Sequence, residues 1–337
     1  MSNDNTVEPM FSDPQERQRL MRMHPLMRDK QLLPTPQIKS TFQQIAAGLL
    51  HRIPSLSWEG PPRHGKTQTA VACVRMLRAV YPDVPVFFTI ASGHDENVHT
   101  ERLQWGELLH DFKHPGAGEH RTQQAMFNIL SLIRTACDAV GGDQAVLIVD
   151  EAQNWDLPQW AHIKNITNKL AHFELHPINL LVVSFAQDDF AHIRMKVEAK
   201  KLDLNGRFFL DSARFRGLRT SAELADFLNS FDDPALADYP IGSKVSYTHF
   251  LYPMAFAAGW RLAKEAELIW KAIVADWSVS SRKSAPDIGM AAIVSVLKWF
   301  LFAHVANDAP DFRGTAKEWV TAVKSSHFRK FQGNGAK

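Results

Sequence analysis

Eight residues, Gly60-Pro61-Pro62-Arg63-His64-Gly65-Lys66-Thr67, fit the pattern G-x-x-x-x-G-K-[ST] in full, and nothing else constrains this chain as strongly. They follow a short stretch with strand character, Leu56 to Glu59, and open a helical one, Thr67 to Tyr81. Strand, glycine loop and helix together give the pattern a physical meaning. Gly60 and Gly65 let the backbone curl until its N–H groups converge on phosphate oxygens. The helix start adds the positive end of its dipole. The predicted nucleotide cradle is therefore Gly60, Pro61, Pro62, Arg63, His64 and Gly65, with Lys66, Thr67 and Gln68 at the start of the helix. Lys66 suits the β- and γ-phosphates of ATP, and the Thr67 hydroxyl suits Mg²⁺. A chance match on a Gly/Pro turn is the alternative, and the flanking elements argue against it.

The chain around the loop alternates strand and helix. Ile38 to Leu50 has one apolar face and reads as an amphipathic helix. Val84 to Ala91, Ala145 to Val149 and Asn179 to Phe185 read as buried strands, and Arg214 to Leu218 as a last short one. Thr100 to Lys113, Thr122 to Val140, Gln159 to Glu174 and Val197 to Lys201 are the predicted helices between them, with Pro115 to Gly118 a loop. Gly141-Gly142 closes one helix as a C-cap. Continuous apolar strands between helices predict a parallel sheet covered on both faces. Beyond Leu218 only helices are predicted: Ser221 to Phe231, Tyr247 to Trp277, Ile288 to Ala306 and Thr315 to Phe331. Four segments follow from this reading: an N-terminal arm over 1–37, an α/β nucleotide-binding domain over 38–219, a helical lid over 220–306, and a C-terminal helix with basic tail over 307–337.

Two further features belong with the loop. Ala145 to Val149 ends in Asp150-Glu151. Adjacent carboxylates at the end of a buried strand are costly unless they meet a cation or water. Asp150 suits the Mg²⁺ shell and Glu151 suits orientation of an attacking water; a helix N-cap is the competing reading of the pair. On the next strand, Ser184, with Gln187 close behind it, is placed to sense the γ-phosphate, and a simple turn residue is the alternative.

The order P-loop, Asp-Glu, polar-tipped strand, arginine-bearing segment and helical lid resembles the AAA+ ATPases over about Ile38 to Val305. The resemblance implies an AAA+ P-loop NTPase core with a five-stranded parallel sheet and a small all-helical lid, and ATP hydrolysis in rings or filaments. It also implies an arginine lent by a neighbouring subunit, worth about 10³–10⁵ in rate where such a cation acts. Arg207, in Asn205-Gly206-Arg207-Phe208-Phe209, sits where the family places that finger, with Arg194 as runner-up and a solvated surface arginine as the alternative for both. In the lid, Arg261 after Trp260 is a candidate second sensor, and Arg282 is also available. His51-Arg52-Ile53-Pro54 before the loop, the run Asp150-Glu151-Ala152-Gln153 and the Trp- and Phe-rich lid helices narrow the resemblance. They resemble the TnsC/TniB group of ATP-dependent regulators of DNA transposition, and within it the TnsC subunits of CRISPR-associated transposons. That resemblance implies assembly on double-stranded DNA and partnership with transposase subunits and a target-selection complex. In DNA-loading relatives the segment between the second and third strands faces the DNA, which makes Arg102, Lys113 and Arg121 the candidate phosphate contacts; a charged outer face is the equal alternative.

Composition decides less. The net charge of +2 neither requires nor excludes nucleic acid. Hydrophobic residues at 45% and charged residues at 22% suit a soluble globular chain, and no apolar run approaches the roughly 20 residues of a membrane span. Cys73 and Cys137 each lie in an apolar helical stretch, so buried free thiols in a reducing cytoplasm are expected. The pairs His110/His114 and His172/His176 have helix-face spacing but no full metal motif. A P-loop switch in signalling or defence, controlling protein assembly without DNA, is the alternative function.

Overall fold

The computed structural model describes residues 13–93, 100–119, 121–172, 176–188, 204–209, 212–280 and 285–331. Arg194, Arg282 and the helix expected over Val197 to Lys201 lie outside the described residues. The chain divides into two compact units. One comprises 37–62 and 66–215; the other comprises 1–36, 63–65 and 216–337.

The first unit is built on five parallel strands in the order β2-β3-β4-β1-β5. These are β1 (Ser55–Glu59), β2 (Val86–Ile90), β3 (Gln144–Asp150), β4 (Asn179–Ala186) and β5 (Ser212–Arg214). β3 and β4 lie inside the sheet, and seven of the eight β4 residues are buried. Their unbroken Val, Leu and Ile runs are the composition of a strand covered on both faces. Two apolar clusters form the two covers. Ile45, Trp58, Cys73, Leu77, Val146, Ile148, Val183 and Phe185 belong to one; Trp105, Ile129, Leu147, Val149, Trp160, Leu180 and Phe208 belong to the other. Alternate residues of β3 thus feed opposite faces, as the pleat requires. The helices of this unit are α2 (Pro36–Leu50), α3 (Lys66–Val80), α4 (Glu101–Asp111), α5 (Thr122–Val140) and α6 (Leu157–Ala171). Gly141 ends α5 in the left-handed region, φ 67°. Both cysteines are buried, and burial pushes the Cys73 thiol up to about 12 and Cys137 to about 11.

The last strand differs from expectation. β5 stops at Arg214, and Leu218 instead pairs as an isolated antiparallel bridge with Ile288 in the helical unit. A side chain at Gly217 would stand 2.1 Å from the Ile288 carbonyl oxygen, so the glycine makes this close pairing possible.

The helical unit contains α1 (Pro14–Met23), α7 (Ser221–Asp232), α8 (Tyr247–Leu251), α9 (Pro253–Ala257), α10 (Ala266–Ser280), α11 (Met290–His304), α12 (Ala316–Ser325) and α13 (Phe328–Phe331). The single helical stretch expected over Tyr247 to Trp277 is broken. Pro253 lacks the N–H that would continue α8, Gly259 turns the chain at φ 88°, and a short 3₁₀ turn, Leu262–Glu265, precedes α10. α11 with its continuation, Met290–Asn307, is 18 residues long and apolar enough by composition to cross a membrane. That length approaches the roughly 20 residues of a membrane span. Its Ile293, Val296, Leu297, Phe300 and Leu301 are buried in the core of the unit. Residues 13–36 are not a separate arm. Leu20, Leu26 and Leu33 are buried in this same core, His24 is enclosed by Tyr239, Tyr247, Phe250 and Phe302, and Tyr239 Oη donates to the Leu20 carbonyl at 2.6 Å. Part of the C-terminal basic segment also packs here: Phe328 is buried, and Arg329 donates to both carboxylate oxygens of Asp276.

Candidate nucleotide site

The glycine loop leaves β1 at the C-terminal end of the sheet. Gly60 N donates to the Ala186 carbonyl of β4 at 3.2 Å, and on the β5 side Phe215 N donates to Glu59 O at 2.6 Å. A Cβ on Gly60 would stand 2.3 Å from the Phe215 carbonyl oxygen. Gly60 is thus the residue that lets the loop leave a gap walled by two strand ends. Lys66, the first residue of α3, is buried, and its Nζ donates to the carbonyls of Gly60 and Pro61, each at 2.7 Å. Burial lowers its pKa from the ordinary lysine value, against the carboxylates of Glu151, Asp188 and Asp150, which raise it. Thr67 and Gln68, next on α3, are exposed, and Pro62 at the loop tip is exposed as well.

Arg63, His64 and Gly65 group with the helical unit. The Arg63 carbonyl accepts from Ala291 N at 3.2 Å, and the buried His64 ring lies 3.8 Å from the Asp287 carboxylate. Gly65 has φ 101°, a conformation that only glycine adopts freely.

Asp150 ends β3 with its side chain buried and one carboxylate oxygen, Oδ1, without a hydrogen-bond partner. Burial raises its pKa first of all, and a hydrogen bond with Thr67 works the other way. An orphaned, buried carboxylate oxygen beside a threonine hydroxyl is a donor set for a hard cation such as Mg²⁺.

Glu151 follows in the left-handed region, φ 52° and ψ 37°. One of its oxygens, Oε2, accepts from the side-chain amides of both Gln153 and Gln187, the latter at 3.0 Å. The Gln153 carbonyl oxygen in turn accepts from Gln187 N at 3.0 Å. Since a backbone N–H can only donate, this contact fixes which way the Gln153 amide faces. The three side chains close a ring that presents Glu151 with one oxygen doubly satisfied. The residue after β4 that reaches Glu151 is therefore Gln187. Ser184 lies inside the strand, buried, in register with Ser57 and Val149. Asp188 forms an ion pair with Arg214 at the end of β5, the guanidinium engaging both carboxylate oxygens, the second at 3.3 Å.

Gln153, Asp188 and Arg214 carry no role legible in the sequence alone. Gln153 is visible in the Asp-Glu-Ala-Gln run, but its partner lies 34 residues away, just past the neighbouring strand. For Asp188 and Arg214 the signal is only their position, one just past β4 and the other at the end of β5.

Five further arginine and lysine candidates, Arg207, Arg261, Arg102, Lys113 and Arg121, each have their own surroundings. The Arg207 carbonyl accepts from Ser55 Oγ at 2.6 Å, which puts it by the first residue of β1, at the opposite end of that strand from the glycine loop. Phe208 and Phe209 anchor the segment in the core, and the guanidinium donates to Thr167 Oγ1 at 2.8 Å and to Asn168 Oδ1. Arg261 is held within the helical unit by the carbonyls of Phe256 and Trp260, 3.5 Å above the Phe256 ring. Arg102, Lys113 and Arg121 are all exposed, on α4, just after it, and at the start of α5.

No protein-family model matches the sequence, and no curated protein is similar to it. Solved structures are similar in fold. An ORC2 protein from Aeropyrum pernix, solved as ADPNP and ADP complexes, matches with a TM-score of 0.55 at 12% identity, over 86% of this chain and 67% of that one. An ORC1 protein from the same organism, in complex with DNA, matches with a TM-score of 0.50 at 12% identity over 89% and 68%. Cdc6p from Pyrobaculum aerophilum matches with a TM-score of 0.50 at 13% identity over 82% and 64%. The chain spans about two thirds of the length of these proteins. Its fold is the AAA+ fold they share, a five-stranded parallel sheet with helices.

Proposed function

We propose that this chain is an ATPase that assembles on double-stranded DNA and, as a TnsC-type regulator of transposition, links target selection to recruitment of transposase subunits. One observation carries the ATPase reading: Lys66, Thr67, Asp150 and Glu151 converge at the C-terminal end of the sheet, with Glu151 held by two amides. Lys66 would exchange the Gly60 and Pro61 carbonyls for the β- and γ-phosphates. Thr67 and Asp150 would hold Mg²⁺, which supplies positive charge to the phosphate oxygens. Glu151 would orient a water toward the γ-phosphorus and take up its proton as the bond from that phosphorus to the β–γ bridging oxygen breaks and ADP leaves, while Gln187, touching the same carboxylate, would respond to the γ-phosphate. Arg207 remains the candidate for the cation lent to a neighbouring subunit; to act so it must leave Thr167 and Asn168. Arg261 would have to leave two carbonyls and Phe256 to serve as a second sensor.

The DNA and transposition parts rest on the sequence resemblance, and the DNA part also on the fold shared with an ORC1 protein solved with DNA. Partners beyond DNA and further copies of this chain would be the transposase and the target-selection complex, in the cytoplasm. Negative-stain imaging with ATP and double-stranded DNA tests the reading. Rings or filaments that need both are expected; assembly with ATP alone would favour a DNA-independent switch. Replacing Arg102, Lys113 and Arg121 together by alanine should weaken binding to all sequences alike. Each lost phosphate contact should remove about 0.9 from the log–log salt slope. An unchanged slope would place the three on an outer surface.

A further inference from the structure

Arg214 is absent from every role assigned so far, yet its position beside the phosphate loop is unusual. It pairs in register with Glu59, the last residue before Gly60, and the next residue, Phe215, wedges against Gly60. Its only described ion-pair partner is Asp188, which directly follows Gln187, the residue bonded to Glu151. Arg214 and Asp188 both lie near enough to Lys66 to bias its protonation, in opposite directions. Asp188 is thus a third carboxylate, with Asp150 and Glu151, around a site built for a polyanion. A carboxylate there opposes phosphate binding unless something neutralises it.

The pair has the properties of an exchangeable contact. Arg214 is 57% exposed and Asp188 45% exposed, so their attraction is heavily screened and easily given up. A guanidinium engaging two carboxylate oxygens offers the same fork that suits two phosphate oxygens. The Gln187–Asp188 segment also sets which phosphate is meant. Gln187 touches the carboxylate that orients the water, so Asp188 and Arg214 stand on the γ-phosphate side of the site.

We propose that Arg214 is a nucleotide-contacting residue of its own subunit, with Asp188 as its place-holder: when ATP arrives, the guanidinium exchanges the Asp188 carboxylate for the γ-phosphate. The inference deepens the ATPase reading and rests on it. It makes Arg214 a discriminator between ATP and ADP, since only the triphosphate carries the group it receives.

The test is calorimetric titration of the full chain, at a concentration where it is monomeric, with ADP and with a non-hydrolysable ATP analogue. Arg214→Ala should weaken the analogue about tenfold or more, the loss expected for one charge-assisted contact, and change ADP less than about twofold. Asp188→Asn should tighten the analogue by a few-fold without moving ADP, because the competitor for Arg214 is gone. Arg214→Lys should recover part of the loss. Equal weakening of both nucleotides, or an unchanged ratio in both variants, would overturn the proposal. So would an Arg214→Ala monomer with the wild-type ratio whose ATPase is lost only in mixed assemblies, which would make Arg214 a residue acting on its neighbour. If Arg214→Ala does not fold, Asp188→Asn and Arg214→Lys decide alone. Lys66→Ala separates the two levels. A wild-type chain that binds neither nucleotide removes the ATPase reading itself; a chain whose binding depends on Lys66 but whose ratio ignores Arg214 and Asp188 loses only this inference.

Discussion

Glu151 combines a left-handed backbone with a doubly held carboxylate oxygen. A non-glycine residue in that region costs on the order of 1 kcal/mol, and such costs persist where surrounding contacts fix the conformation. Here Asn154 N caps the Glu151 carbonyl at 2.9 Å and Asn154 Nδ2 donates to the Ala91 carbonyl at 2.9 Å, tying the turn to the end of β2. Two substitutions separate chemistry from positioning. Glu151→Gln should keep ATP and Mg²⁺ bound but stop turnover, and so accumulate ATP-bound assemblies; hydrolysis at the wild-type rate would reduce Glu151 to a turn residue. Gln153→Leu should lower kcat by about 10- to 100-fold, the cost of a misplaced reacting group, while leaving KM nearly unchanged. An equal rise in KM would mean that Gln153 supports the fold of the loop instead. The Asp-Glu pair was legible because a buried strand ending in two acids is a local pattern. The ring was not, because it forms between residues brought together only by β3 lying beside β4.

Among the elements, β1, the glycine loop and α3 are the most local and were the most legible. Their sequence carries the turn, the helix start and the strand within a short span. β5 shows the limit of that reading. Apolar character runs on through Phe215 and Leu218, but the chain leaves the sheet after Arg214 because Leu218 finds Ile288. The packing of β5 against the loop gives a sharp test. Gly60→Ala would place its Cβ 2.3 Å from the backbone carbonyl oxygen of Phe215, the residue whose N donates to Glu59 O. Thermal and denaturant unfolding should show a loss of about 1–3 kcal/mol, typical of overpacking, together with weaker ATP binding. Gly206→Ala, where an added Cβ meets nothing within 4 Å, should stay within about 0.5 kcal/mol. Equal stability for the two variants would show that β5 is not packed as described.

At the scale of the molecule, segment boundaries were the least legible feature. Residues 13–36 look like a proline-broken basic arm because charge and proline dominate their composition. Three leucines and a histidine nonetheless bury them in the helical core, and residues 63–65 of the glycine loop group with that same unit. His24 offers a measurement. Burial lowers its pKa from 6.5 to about 3, with Nδ1 accepting from Leu26 N at 3.1 Å. The folded chain therefore holds it neutral, while the unfolded chain takes up a proton below pH 6.5. Above that pH the group contributes no pH dependence. As pH falls from about 6.5 toward 3, the unfolded state binds the extra proton and stability declines, by up to about 1.4 kcal/mol per unit. His24→Asn should flatten that part of the stability profile of the helical unit, whatever it does to stability at neutral pH. An unchanged slope would mean that His24 is not enclosed.

Every role proposed for this chain depends on Gly60 to Thr67 binding ATP. Isothermal titration of ATP with Mg²⁺ into folded wild-type and Lys66→Ala protein tests it most directly. Lys66 is the buried ammonium held by the Gly60 and Pro61 carbonyls of that loop. The wild-type chain should bind, and Lys66→Ala should show no measurable heat of binding at the same concentrations. Equal affinity in the two proteins would contradict the assignment of the loop.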